Sequence, residues 1–204
     1  MPGVTDLVNK SLRLIGASPI TSLTDGSTSA NAADDVYTEL RDELLRSHPW
    51  NFATKRVQLA QSATAPIFEF DYGYPLPSDW LRTISVHDND AGHGTILFRM
   101  EIIGTQRAIV ASSDAVYLRY VYQVTDPNQM TSDFRAALET ALARDLSIPL
   151  ASSNTIYELM SKKADRLLNQ ARSTDALGAS PELRTRGSWA ASRGGRRRND
   201  FLSD

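Results

Sequence analysis

The stretch Arg41-Asp-Glu-Leu-Leu-Arg-Ser-His-Pro-Trp-Asn-Phe-Ala-Thr-Lys55 changes character at its midpoint. Its first six residues read as a charged amphipathic helix. Pro49 disfavours the helical conformation at His48, so the helix is predicted to stop there. Two large aromatics, Trp50 and Phe52, follow the proline at once. They mark either a packed hinge between two parts of the chain or a surface that another protein reads. The hinge reading predicts that Pro49, Trp50 and Phe52 pack between a helical part and a strand-rich part.

Upstream, the pattern is helical. Apolar residues at 4, 7, 8, 12, 14 and 15 are closed by Gly16, which predicts a first helix with a glycine stop. A loop through Ser18-Pro19 and Asp25-Gly26 leads to a second helix beginning near Asn31, with Asn31 and Asp34 spaced as a capping box. Val36, Tyr37, Leu40, Leu44 and Leu45 would form its buried stripe, and Asp42 and Arg46 an exposed i,i+4 pair.

Downstream, from Lys55 to Gln123, the runs VQLA, IFEFDY, WLRTISVH, TILFRMEII, RAIVA and AVYLRYVYQV are β-branched or aromatic, and several alternate in polarity. These predict about five or six antiparallel strands. Helix returns after Asp126-Pro127. Phe134, Ala137, Leu138, Ala141, Leu142 and Leu146 repeat at i, i+3, i+4, and Pro149 ends or kinks that helix. A fourth helix, from about Ser153 to Thr174, is predicted to bury Ile156, Leu159, Met160, Ala164, Leu167, Leu168 and Ala171. The expected fold is therefore α+β. It is a four-helix bundle made of an N-terminal helical pair (1–50) and a C-terminal helical pair (127–177), with an inserted antiparallel β-sheet region (51–126) and an extended Arg-rich tail (178–204).

Composition narrows the function. The 204 residues contain no Cys, which excludes disulfides, Cys-ligated zinc and thiol nucleophiles. The N-terminal residues are too broken by polar groups for a signal-peptide core, and no run approaches the roughly 20 apolar residues that span a bilayer. The expectation is a chain made and folded in cytoplasm. The net charge of −2 hides an asymmetry. The last 21 residues carry six arginines against Asp200 and Asp204, a charge of +4, which leaves −6 on the remainder.

Motifs for chemistry are sparse. His87, Asp88, Asp90 and His93 form the one metal-like cluster, able in principle to hold zinc or another divalent ion. Their setting between two predicted strands, with Gly92 and Gly94, favours a polar hairpin loop instead. There is no P-loop, dinucleotide fingerprint, nucleophile elbow or H-E-x-x-H. The abundant carboxylates read as solvated helix faces and turns. No catalytic residue, metal or cofactor is assigned, and the chain is not expected to be an enzyme. The basic tail, with Trp189 and Arg184, Arg186, Arg193, Arg196, Arg197 and Arg198, has three readings. It is an arm that neutralises nucleic-acid phosphates, a peptide that orders on a protein partner with Trp189 as anchor, or a solvated tail. Trp189 favours the second, because a purely electrostatic arm gains little from a lone indole.

Four segments carry a resemblance: NKSLRLIGASPITSL (9–23), RDELLRSHPWNFATKR (41–56), YPLPSDWLR (74–82) and LRYVYQVTDP (118–127). Together they resemble the tail tubular protein A family, the head-to-tail adaptors (connectors) of short-tailed bacteriophages, with HPWNFA the most specific block. The resemblance implies a structural virion protein at the head-to-tail interface, assembled in the host cytoplasm. Such a protein forms a ring, usually of twelve copies, below the portal protein ring and above the tail nozzle protein. Genomic DNA passes through its channel during ejection without specific binding, and no membrane is involved. The resemblance also implies a helical bundle with a β-rich insertion, and brings no catalytic residues. The competing expectation is a nucleic-acid-binding accessory protein acting through the arginine tail.

Overall fold

The computed structural model describes residues 3–92 and 96–178. Helix α1 (Val4–Leu14) opens on Gly3, whose N–H donates to the Asp6 carboxylate at 2.9 Å. It closes on Gly16, whose φ of +74° is the left-handed conformation that glycine adopts without strain. The Asn9 amide then ties the following loop to the helix. It accepts from the Ile20 N–H at 2.7 Å and donates to the Ile20 carbonyl at 2.9 Å. Helix α2 (Thr28–Ser47) begins three residues before the predicted start, because Ser27 supplies the cap, its hydroxyl accepting from the Ala30 N–H. Asp42 engages Arg41 and the Gln123 amide instead of Arg46.

Six strands follow. Strands β1 (Thr54–Leu59), β6 (Val116–Tyr122) and β3 (Trp80–His87) form one antiparallel sheet in the order β1-β6-β3. Strands β2 (Tyr72–Pro75), β5 (Gln106–Ala111) and β4 (Phe98–Ile103) form a second, in the order β2-β5-β4. The run IFEFDY is not a strand as far as Asp71; β2 is the less promising YGYP, which begins on its last residue, Tyr72. Pro75 is tolerated there because β2 is an edge strand. At Gly73 the Ile103 side chain closes over the backbone, and a Cβ there would require the end of that side chain to turn away. Helix α3 (Ser132–Ala151) starts on the cap Thr131 and runs two residues past Pro149. A turn at Ser152-Ser153 then reverses the chain into α4 (Asn154–Leu177).

Among the described residues the fold is α+β, with four helices and two three-stranded antiparallel sheets. The expected four-helix bundle with a single inserted sheet region is not what forms. In a bundle each helix buries one stripe against two neighbours. Here α1, α2 and α4 all pack against α3, which makes the extensive helix contacts. The sequence of α3 explains this. Phe134, Ala137, Leu138, Thr140, Ala141, Leu142, Ala143, Leu146 and Ser147 are all buried, and they cover most of its circumference. The strand region divides because each sheet has an apolar face to cover. The two faces cover each other through Leu59, Tyr74, Val86, Ile109, Ala111, Val116, Leu118 and Tyr120. Strand β6 belongs to both halves. Leu118 and Tyr120 lie in the core between the sheets, and Val121 lies in the helical core with Trp50, Ala53 and Val124. Of the expected tail (178–204), residues 179–204 lie outside the described residues.

Candidate assembly surfaces

The proline turn is a packing element. His48 is extended (φ −146°, ψ 147°), as its position before Pro49 requires, and one turn of 3-10 helix, Asn51–Ala53, follows Trp50. Trp50 is wholly buried. Its indole N–H donates at 3.0 Å to the Leu44 carbonyl, a last-turn acceptor of α2 that also takes the Ser47 hydroxyl at 2.7 Å. Its ring meets Phe134 of α3 edge-on at 5.0 Å, and Phe52 meets Phe134 at 5.1 Å. Phe52 is half-buried and Pro49 exposed. Trp50 therefore sits inside the helical core, with Ala53 and Val121 bringing the first sheet up to it.

The C-terminal end of α4 clamps this turn. The Asp175 carboxylate accepts the Asn51 N–H at 3.1 and 3.2 Å and lies 3.4 Å from His48 Nε2. The Asn51 amide donates back to the Asp175 carbonyl at 2.7 Å, and Arg172 donates to the Ser47 hydroxyl at 3.0 Å. Burial holds the His48 imidazole below its ordinary pKa. Arg172 and Arg82 push the same way, and Asp175 opposes them.

A second junction gathers around Asp79. Its carboxylate accepts from Lys55 at 2.7 Å and from the Tyr120 hydroxyl at 3.0 Å, while its carbonyl accepts the Gln123 N–H at 2.7 Å. Burial works to raise the Asp79 pKa, and the two donors outweigh it, so the carboxyl stays below its usual range. Tyr120 moves the other way: burial, then Asp79, pushes its phenol up to about 12. Gln123 also donates to Asp42 at 2.6 Å, and Arg82 donates to the Arg46 carbonyl at 3.2 Å. Three of the four segments singled out in the sequence, 41–56, 74–82 and 118–127, thus meet where helices join sheet. The fourth, 9–23, is fastened to itself through Asn9 and buries Leu12, Ile15 and Ile20 in the same helical core.

The metal-like loop is only partly described. His87 Nε2 lies 3.0 Å from the Ser85 hydroxyl, and Asn89 donates to Asp88 at 2.7 Å. Gly92 has the predicted positive φ, +69°. His93 and Gly94 lie outside the described residues. Among the described residues no three His, Asp or Glu side chains converge as metal ligands. A cleft of about 410 Å³ crosses this face of the first sheet, lined by Arg56, Ser85, His87, Tyr117 and Arg119 among others.

Sequence reasoning missed an exposed apolar group on the second sheet. Ile67 and Phe68 are 98% and 78% exposed, beside Ile102 at 72% on β4. A tight turn presents them. The Phe70 N–H donates to the Phe68 carbonyl at 2.9 Å across Glu69, whose φ is +72°. A three-residue turn with its central residue at positive φ is uncommon and strained. The sequence carried no warning of this, since Phe68, Phe70 and Tyr72 alternate with Glu69 and Asp71 as the residues of a strand do. A second departure is on α4, where Leu159, predicted to be buried, is 60% exposed.

The remaining sequence-predicted site residues, Trp189, Arg184, Arg186, Arg193, Arg196, Arg197 and Arg198, lie outside the described residues. Among the described residues no helix is long and apolar enough to cross a membrane. The chain matches no protein-family model and no curated protein.

Proposed function

We propose that this protein is a structural component of a short-tailed bacteriophage virion. It is the head-to-tail adaptor that sits as a ring below the portal and joins it to the tail nozzle. One observation carries the reading. The segments that resemble the adaptor family are not scattered in space: three of them interlock at the helix–sheet junction through Asp79, Gln123, Asp42 and Arg82, and the fourth shares their core. A shared sequence pattern that lands on one structural joint is what a common framework leaves behind. The role is architectural, with DNA passing through the ring rather than being bound by it. The tail from Arg184 to Arg198, anchored by Trp189, is the segment that engages the portal.

Native mass analysis of the protein mixed with the portal ring from the same genome tests this. The expected result is one heavy species with one adaptor per portal subunit, lost on deletion of residues 179–204. Absence of any complex, with both partners folded, overturns it. Salt-sensitive DNA binding that requires residues 184–198 would then support a nucleic-acid role instead.

A further inference from the structure

Two exposed surfaces on this chain differ in charge and fit each other. The first is the tip of the second sheet. Ile67, Phe68 and Ile102 project there, with Glu69, Asp71 and Glu101 around them and Arg99 as the cation, already paired to Glu69 at 3.2 Å. Arg107, opposite Ile102 on β5, is turned onto the Trp80 ring at 5.9 Å. The tip is thus apolar with an acidic rim. The second surface is one flank of α4. Leu159, Lys162, Lys163 and Arg166 follow the i, i+3, i+4, i+7 spacing that places side chains on one strip of a helix. Leu159, Lys162 and Arg166 are exposed and Lys163 half-buried. The acids of this stretch, Glu158 and Asp165, stand four and three residues from Lys162 and border the strip on that edge, while Lys163 and Arg166 have no acid three or four residues away. The strip is one leucine among cations whose methylene stems add apolar cover.

We propose that the tip of one copy docks on the α4 flank of the next, Phe68 and Ile102 against Leu159, and Glu101 and Asp71 against Lys162 and Arg166. The occupant of each surface is a second copy of this chain, because the complement of each is found on the same molecule. Two different patches in contact make a heterologous interface, which propagates head to tail and closes into a ring when the rotation allows. The strained turn at Glu69 suits this, since it holds two large apolar side chains out in water before any partner arrives. The inference rests on the ring assigned above and names the surfaces that would build it.

The absence of cysteine gives a clean test. Ile102→Cys and Leu159→Cys are made as separate proteins, mixed at high concentration and oxidised. The expected product is a disulfide joining the two variants, formed in clear preference to either homodimer, and an Ile102→Cys/Leu159→Cys double variant gives a ladder of higher multimers. Lys162→Glu with Arg166→Glu is expected to lower the cross-linking yield by at least about tenfold, and Glu101→Lys with Asp71→Lys to restore it in the mixture. All positions are exposed, and a melting curve for each variant confirms folding. Homodimers alone, or no cross-link between folded variants, overturn the proposal. Native mass analysis with the portal separates the two levels. A one-to-one portal complex without the tip-to-flank cross-link sinks this interface and keeps the adaptor. The cross-link without portal binding keeps the interface and sinks the adaptor.

Discussion

Trp50 shows how much one side chain after a proline can hold. It fills the space between α2 and α3, and its indole N–H satisfies a helix-terminal carbonyl. Trp50→Ala is expected to cost about 3–5 kcal/mol in urea unfolding, as large-to-small core changes do. Trp50→Phe, which keeps most of the volume and loses the hydrogen bond, should cost less. A variant that melts like the parent would restore the idea that the aromatic pair is a partner surface. His48, two residues earlier, gives a pH signature. Its imidazole is held below the ordinary 6.5 by burial. Between the folded and unfolded pKa values the unfolded state binds more protons, so stability rises with pH there. The contribution is complete above about 6.5 and is lost as pH falls. His48→Gln should flatten that slope, with denaturation midpoints between pH 4.5 and 7.5 (roughly the span of a His titration) as the measurement. The stop at His48 was readable from Pro49 alone. The Asp175 clamp was not, because it joins residues 124 positions apart.

At the scale of elements, legibility followed local chemistry. The proline stop before Pro49, the glycine stop at Gly16 and the alternation of AVYLRYVYQV are local signals, and these elements form close to where the pattern puts them, whereas Asp126-Pro127 opens only a 3-10 turn and α3 waits for its cap at Thr131. The failures are those in which a tertiary neighbour overrides local preference. IFEFDY has the composition of a strand and is a loop as far as Asp71, while YGYP, which begins on its Tyr72, becomes β2 as the edge partner of β5. Leu159 sits at helical spacing with the buried stripe, yet α4 has α3 on one side only, so the stripe is narrower than the sequence suggests. Two elements give direct tests. Glu69→Gly relieves the positive-φ strain and is expected to raise stability by about 0.5–1 kcal/mol, net of an exposed ion pair worth little. A loss of stability would show that the Arg99 pair matters more than the backbone. Asp175→Ala removes the acceptor for the Asn51 N–H. It should speed amide hydrogen exchange over residues 170–177 while leaving the middle of α4 protected.

For the whole molecule, the sequence pattern located helices and strands but not their arrangement. Two helical patterns before the strands and two after suggest a four-helix bundle. Only the encircling burial of α3 reveals that it is the shared support, and the i, i+3, i+4 count does not distinguish one apolar stripe from an apolar circumference. Strand β6 couples the halves, since Val121 and Leu118 lie in different cores three residues apart, and β3 does the same, with Leu81 and Ile84 against the helical core and Val86 in the other. The helical and strand halves should therefore unfold together. Amide exchange at Leu146 and at Ile109 is expected to report the same global opening free energy, and a gap above about 1 kcal/mol between them would show two separable units. The register carries a further meaning. Thr54 and Val121, where the chain passes into and out of the strands, are direct partners across β1 and β6. To the helices, the 66 residues between them, 55–120, amount to a gap of about 5 Å, the spacing of paired antiparallel residues. The strand region is in this sense an excursion that returns to where it left: its far loops could be lengthened or exchanged without moving the helices, whereas β3, which lays Leu81 and Ile84 on the helical core, has to stay.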